Sequence, residues 1–357
     1  MERIPAIIMA NKAFGTLEGK TANGLVMYQR KFKIVAVIDE DKAGEDAGEV
    51  LGIGRLGVPI VKNIEEALKY NSKALIIGIA PPGGELPLEW RETIKKAITH
   101  GLEIWSGLHQ FFNDDPEFSD LAKKYGVKLI DIRKPPPDKK VLSGEILDVK
   151  VPVIAVLSTD AASGKNMTIM EMIKEAEARG LKPGFVATGQ TTIMMGGDAG
   201  AVVDALPGDF MPGTVEKMVV EVSKMGNDFI LVEGQGSLSH PAYGHESLSV
   251  LYGAQPDAVI LVHDPFRKTR DGFPRFKVPS PLEEISLIEK VSPKSKVVGI
   301  AINGYKRSDK EIKETIERIE KETGLPATDV VRFGASKLLD SVLSYLDKVG
   351  YRIIKKK

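Results

Sequence analysis

Between the apolar run Val153 to Leu157 and a helix-like run, Met167 to Arg179, lies the stretch Ser158-Thr159-Asp160-Ala161-Ala162-Ser163-Gly164-Lys165-Asn166. A short loop that leaves a buried strand and opens a helix is a natural anion site. The first helical amides point outward, and glycine lets the backbone turn without a Cβ clash. Gly164 supplies that turn and Lys165 a cation beside the amides. The match to G-x-x-x-x-G-K-[ST] is imperfect: Thr159 stands at the first glycine, and Asn166 where the Mg²⁺-ligating hydroxyl belongs. Ser158, Thr159, Asp160, Ser163, Gly164, Lys165 and Asn166 are the candidate phosphate-holding residues. Thr168, within the first turn, either supplies the missing hydroxyl or bonds back onto the helix.

A second group follows the run Phe229 to Val232. Glu233 takes the place where a P-loop ATPase carries its metal-binding acid, and a carboxylate there can bind Mg²⁺ or act as a general base. Gly234 and Gly236 leave room for a ligand to approach closely. His240 is an alternative base, since imidazole titrates near neutral pH. Its five-residue spacing to His245, across a Pro and a Gly, does not fit a helical zinc pair, and no metal centre is expected. Asp264 and Arg267 follow another strand, where an Arg fork suits a carboxylate or phosphate, although Arg267-Lys268-Thr269-Arg270 also reads as a solvated basic loop.

The elements that must position these residues are short apolar runs alternating with helices. Ile4 to Met9, Lys33 to Ile38, Leu75 to Ala80, Leu102 to Trp105 and Val127 to Asp131 read as strands, Thr21 to Arg30 and Leu88 to His100 as helices, and Pro81-Pro82-Gly83-Gly84 as a turn. This pattern predicts a Rossmann-like N-terminal domain over 1–140. Asp39 ends the second strand, where dinucleotide folds bind a ribose, but no G-x-G-x-x-G follows the first strand, which argues against NAD. Asn11, Lys20 and Thr21 lie just past a strand's carboxyl end. They read either as ligand contacts or as a surface loop with an N-cap at Thr21.

Pro135-Pro136-Pro137 breaks the pattern, and a second α/β domain with a P-loop NTPase-like parallel sheet is expected over 145–357. Further strands are Gly184 to Ala187, Ala258 to Val262 and Val297 to Ile302; Asp309 to Thr323 and Ser336 to Leu346 are helices. Four strands end in polar, Gly-bearing turns: Ser158 to Lys165, Thr188 to Thr192, Glu233 to His240 and His263 to Arg267. A parallel sheet gathers such ends on one edge.

The 357 residues suit two domains, and 43% hydrophobic residues suffice for buried cores. The 49 basic and 49 acidic side chains cancel, which argues against a dedicated nucleic-acid or membrane surface. No apolar run approaches the roughly 20 residues that span a bilayer, and no signal peptide is evident, so a cytoplasmic protein is expected. Absence of cysteine removes disulfides and thiolate chemistry. Few glutamines beside abundant Lys and Glu resemble a thermophile composition.

Ser158-Thr159-Asp160 with Gly164-Lys165, the run Ala187-Thr188-Gly189-Gln190-Thr191, the stretch Asp204 to Phe210 and the block Glu233-Gly234-Gln235-Gly236-Ser237-Leu238-Ser239-His240-Pro241-Ala242-Tyr243 together resemble the D-glutamate N-acetyltransferase family. Asn11 to Gly15 and Gly19-Lys20-Thr21-Ala22 also fit, so the resemblance spans nearly the whole chain. Ala161-Ala162-Ser163 and Met167 depart from the family's usual Cys-Val and Thr. The resemblance implies transfer of an acetyl group from acetyl-CoA to the amino group of D-glutamate or a related amino acid. The loop would cradle coenzyme A phosphates, and Glu233 or His240 would serve as base. Gln190, Gln235 and amides near Gly234 to Ser237 would face the oxyanion. Asn11, Lys20, Thr21, Thr188, Ser237, Asp264 and Arg267 would meet the substrate. Small molecules are the expected partners, within a homo-oligomer. The Ser158-Thr159-Asp160 opening also resembles dethiobiotin synthetase, which keeps an ATP- and Mg²⁺-dependent ligase or kinase open as an alternative, beside a non-catalytic nucleotide-binding protein.

Overall fold

The structure, a computed structural model, describes residues 2–16, 18–79, 84 and 86–353. Ala80, Pro81, Pro82 and Gly83, expected at the end of the third strand and in its turn, lie outside the described residues. The chain divides into two compact units, Met1–Pro135 with Gln190–Gly196, and Pro136–Gly189 with Gly197–Lys357.

In the first unit β1 (Ile4–Met9), α1 (Lys20–Met27), β2 (Phe32–Ile38), α2 (Ala47–Val50), β3 (Ile60–Val61), α3 (Ile64–Ala67), β4 (Ala74–Ile77), α4 (Arg91–Thr99), β5 (Glu103–Ser106), α5 (Pro116–Tyr125) and β6 (Leu129–Asp131) follow one another. The six strands run parallel in the order β3-β2-β1-β4-β5-β6, the doubly wound order of a Rossmann-like sheet. The strands can be apolar throughout because such a sheet is covered on both faces; Ile7, Ile8, Met9, Leu75 and Ile76 are fully buried. The segment Leu88 to His100 begins as a 3₁₀ turn, Leu88–Trp90, before α4 takes over, a common way for a helix to start.

The second unit contains β7 (Val153–Ser158), α6 (Lys165–Ala178) and β8 (Pro183–Ala187). The chain then lends α7 (Gln190–Met195) to the first unit. There the Thr191 hydroxyl meets that of Thr21 at 2.7 Å, and the Met195 methyl packs where a Cβ on Gly24 of α1 would lie. The rest of the second unit is β9 (Ala199–Gly200), α8 (Met211–Ser223), β10 (Phe229–Glu233), α9 (Gly244–Ala254), β11 (Ala258–His263), β12 (Thr269–Arg270), β13 (Phe273–Lys277), α10 (Pro281–Val291), β14 (Lys296–Ile302), α11 (Asp309–Thr323), β15 (Ala327–Thr328), α12 (Val330–Phe333) and α13 (Ser336–Lys348).

Seven of its strands form a parallel sheet in the order β15-β14-β11-β7-β10-β8-β9, and β12 and β13 form a separate antiparallel hairpin. The central place of β7, between β11 and β10 with β8 beyond, makes neighbours of the turns that leave these four strands. Among the described residues no helix is long and apolar enough to cross a membrane.

Candidate active site on the second sheet

The loop between β7 and α6 is held in a shape few residues adopt. Gly164, the N-cap of α6, has φ 111°, and Ala162 has φ 48°, a left-handed conformation that costs a non-glycine residue of order 1 kcal/mol or more. Among the described residues no side chain caps α6, and its first turn contains Lys165 and no acid. An uncapped helix start beside a lysine is suited to an anion.

Lys165 is buried. Its Nζ donates to Ser158 Oγ at 2.8 Å, to the Gly236 carbonyl at 3.2 Å and to the Asp160 carbonyl at 3.4 Å, so it joins the loop after β7 to the turn after β10. Ser163 Oγ donates to the Asp160 carbonyl, and Asn303 at the end of β14 donates to the Ser163 carbonyl. Thr168 takes the second of its two readings: its hydroxyl bonds back to the Gly164 carbonyl at 3.1 Å. Asn166 lies half-buried on α6. Thr159 turns beneath the loop, with its hydroxyl 2.9 Å from His263 Nδ1. Burial, aided by the field of Arg318, holds the His263 pKa down to about 4.

Glu233 ends β10 and is buried. Its Oε2 accepts the amides of Thr188 and Gly189, each at 2.8 Å, from the turn after β8. Gln235 Nε2 donates to Thr188 Oγ1 at 2.7 Å. Gly189 permits the close approach: a Cβ there would lie 3.1 Å from Glu233 Oε1 and 3.3 Å from Gln235 Nε2. Glu233, Gln235 and Thr188 are thus brought together. Gln190, the residue after Gly189, opens α7 and belongs to the first unit, where its Oε1 accepts from Arg133 Nε at 3.1 Å.

Asn11, Lys20 and Thr21 also lie in the first unit. Asn11 has a left-handed φ of 30°, and Lys20 is exposed. Helix α1 begins at Lys20 with Gly19 as its N-cap, so Thr21 lies inside the helix and does not cap it. Asp39, at the ribose position of a dinucleotide site, uses its two oxygens on the amides of Phe14 and Asp41.

Asp160 is fully buried and is a hub of the second unit's site. Its Oδ2 accepts Arg267 Nη1 and the Asp271 amide, both at 2.9 Å; its Oδ1 faces His240 Nε2 at 3.5 Å and Arg270 Nη1 at 3.6 Å. Arg267 also donates to the carbonyls of Ala161 and Ala162, so its fork grips the loop. Asp264 accepts the Phe266 amide, with Arg267 Nε 3.5 Å from its other oxygen. Ser237 Oγ accepts from Arg270 Nη1 at 2.9 Å.

Two buried residues at this site were not anticipated. Arg270, in the run for which a solvated basic loop was one of two readings, is only 5% exposed; the hairpin turns it inward, where four oxygens take its donors. Glu284, in the first turn of α10, accepts the amides of Leu238 and Ser239 and the Ser239 hydroxyl. Burial raises its carboxyl pKa against those bonds. A basic run gives no sign that one member is buried, and Glu284 looks like any acid at a helix start.

Comparison with known proteins places this arrangement. Residues 140–339 match a family described as a domain of unknown function with a P-loop, DUF1611_C, and residues 40–135 match its Rossmann-like counterpart, DUF1611_N. The chain is 35% identical over 284 residues to the D-glutamate N-acetyltransferase of Tritonibacter scottomollicae, covering 78% of this chain and 84% of the relative. It is 32% identical over 281 residues to the D-glutamate N-acetyltransferase of a Pseudoalteromonas species, covering 78% and 83%. A crystal structure of a DUF1611 family protein from Anabaena variabilis matches with a TM-score of 0.89 and 38% identity, covering 96% of this chain and 100% of that one. The P-loop model alone matches more than half of the chain, and the chain belongs to the DUF1611 family.

Proposed function

We propose that the protein is an amino-acid N-acetyltransferase that moves the acetyl group of acetyl-CoA to the amino group of D-glutamate. The observation that carries this reading is the identity of 35% and 32%, across 78% of the chain, to two proteins of that name. The site's chemistry fits it. Coenzyme A carries phosphates, and Lys165 with the uncapped start of α6 offers a cation and aligned amides. Acetyl transfer asks for no metal-bound γ-phosphate, in keeping with Asn166 after the lysine and a Thr168 hydroxyl turned back onto Gly164.

Glu233 is the base in this reading. It takes a proton from the substrate ammonium, and the freed amine attacks the thioester carbonyl carbon. When the tetrahedral intermediate collapses, the C–S bond breaks and the sulfur leaves as the thiol with the proton from Glu233; the second ammonium proton passes to solvent. The amides of Thr188 and Gly189 fix the carboxylate through Oε2. The Gly234 amide already donates to the Val156 carbonyl. The oxyanion donor is therefore assigned to the second N–H of Gln235, whose Nε2 also holds Thr188.

Thiol release from acetyl-CoA, measured with D-glutamate, L-glutamate and D-aspartate, with and without ATP and Mg²⁺, tests the proposal. It requires release with D-glutamate that is independent of ATP and Mg²⁺. Turnover that demands both, with phosphate or ADP as product, would support the ligase or kinase class instead.

A further inference from the structure

We infer that Arg270 is a positioning residue that holds the phosphate loop at a fixed spacing from the Glu233 turn. Its guanidinium is buried and planar, and it bridges two chain segments. Nη1 donates to the Thr159 carbonyl at 3.1 Å, on the loop after β7, and to Ser237 Oγ at 2.9 Å, on the turn after β10. Nη2 donates to Ser239 O at 3.1 Å and Ser239 Oγ at 2.8 Å. The far end is itself anchored, because Glu284 holds the Leu238 and Ser239 amides and the Ser239 hydroxyl.

The hairpin delivers the arginine. Arg270 pairs with Phe273 across a tight turn in which Gly272 has φ 73°, and the adjoining Asp271 amide binds Asp160 Oδ2. Phe273 sets its ring edge against His240, with centroids 5.1 Å apart. One rigid turn therefore reaches Asp160, Thr159, Ser237, Ser239 and His240.

This inference rests on the acetyltransferase reading. A cosubstrate anchored by its phosphates on the loop presents its thioester to a base on the neighbouring turn, so the spacing between the two determines how well amine, carbonyl and base align. A displacement of about 1 Å can cost on the order of a hundredfold in rate. Lysine keeps the charge and loses the fork, and a single ammonium cannot span these four acceptors.

The test compares kcat and the acetyl-CoA KM of the full-length wild type with those of Arg270→Lys and Ser237→Ala, with thermal unfolding followed in parallel. Arg270→Lys should lower kcat of the folded protein by roughly ten- to a hundredfold and leave the acetyl-CoA KM within about threefold. Ser237→Ala, which removes one acceptor, should move kcat in the same direction by less. Unchanged kcat in folded Arg270→Lys, or a loss confined to KM, overturns the inference. If that variant does not fold, Ser237→Ala decides on the same criteria. Wild type that releases no thiol sinks the acetyltransferase reading and this inference together, whereas wild-type turnover with indifferent variants sinks the inference alone.

Discussion

Nε2 of His240 faces Oδ1 of Asp160 at 3.5 Å, and among the described residues neither atom has a hydrogen-bond partner. On the ring's other side, Nδ1 accepts the amides of Ala242 and Tyr243 at 3.1 and 3.2 Å. That pattern assigns the proton of the neutral ring to Nε2. Burial, and then the Arg270 charge, hold the His240 pKa below its ordinary value despite the opposing pull of Asp160. A neutral imidazole whose lone pair points at two amides and whose N–H points at a carboxylate is poorly placed to accept a proton. The acetyltransferase reading therefore assigns the base role to Glu233 rather than to His240.

Glu233→Gln should therefore lower kcat by about 10²- to 10⁴-fold, the usual worth of general-base catalysis. The variant should still fold, since the amide oxygen can accept the Thr188 and Gly189 amides that Oε2 accepts now. His240→Asn should cost less and leave the pH dependence of kcat/KM in place. A His240→Asn profile that loses its acid limb would return the base role to the histidine.

In the proposed reaction Lys165 belongs to cosubstrate binding. Its three oxygen acceptors form a pocket for one ammonium, and an anion on the loop would compete for that charge. Charge-assisted bonds of this kind contribute about 1.5–3 kcal/mol. Lys165→Ala should raise the acetyl-CoA KM by roughly ten- to a hundredfold and hold kcat at saturation within a few-fold. A fall in saturated kcat with KM unchanged would contradict a purely binding role.

The strands were legible because parallel sheets demand unbroken apolar runs: Ile4–Met9 and Ala258–His263 stand out between polar turns. Helix α11 was legible because only Ile312, Thr315, Ile316 and Ile319 face inward. Helix α8 carries such a stripe in Met211, Val215, Met218, Val219 and Val222, but Pro212 and Gly213 at its start read as breakers. Helix α9 carries Gly244 and Gly253, which read as breakers. Gly253 is needed because the Pro212 carbonyl would lie 2.3 Å from a Cβ there. Thr188, Glu233 and the Lys165 loop could be grouped from sequence because strand ends share an edge. The burial of Arg270 and the tautomer of His240 could not, since both depend on partners that only the folded hairpin and turn supply.

Gly189 tests how tightly the Glu233 carboxylate is held. A methyl group there would meet both carboxylate oxygens, at 3.1 and 3.3 Å, and Gln235 Nε2 at 3.3 Å. Gly189→Ala should displace Glu233 and lower kcat by about tenfold or more, with stability reduced by roughly 1–3 kcal/mol. Chemical denaturation beside steady-state kinetics separates the two effects. Wild-type kcat in this variant would mean that the carboxylate position is not critical.

His263 makes stability depend on pH in a window of known sign. Its folded pKa is about 4, against roughly 6.5 in the unfolded chain. Above that unfolded value both states hold a neutral ring, and its contribution is fully present. As pH falls from 6.5 towards 4 the unfolded chain takes up the proton and the folded protein does not, so stability is lost across that interval and levels off below it. The full loss is about 3 kcal/mol. His263→Asn keeps an acceptor for Thr159 and removes the titration. The unfolding free energy of wild type should therefore fall more steeply than that of His263→Asn between pH 7 and pH 5. Parallel curves for the two proteins would show that the ring is already solvated, or already protonated, in the folded state.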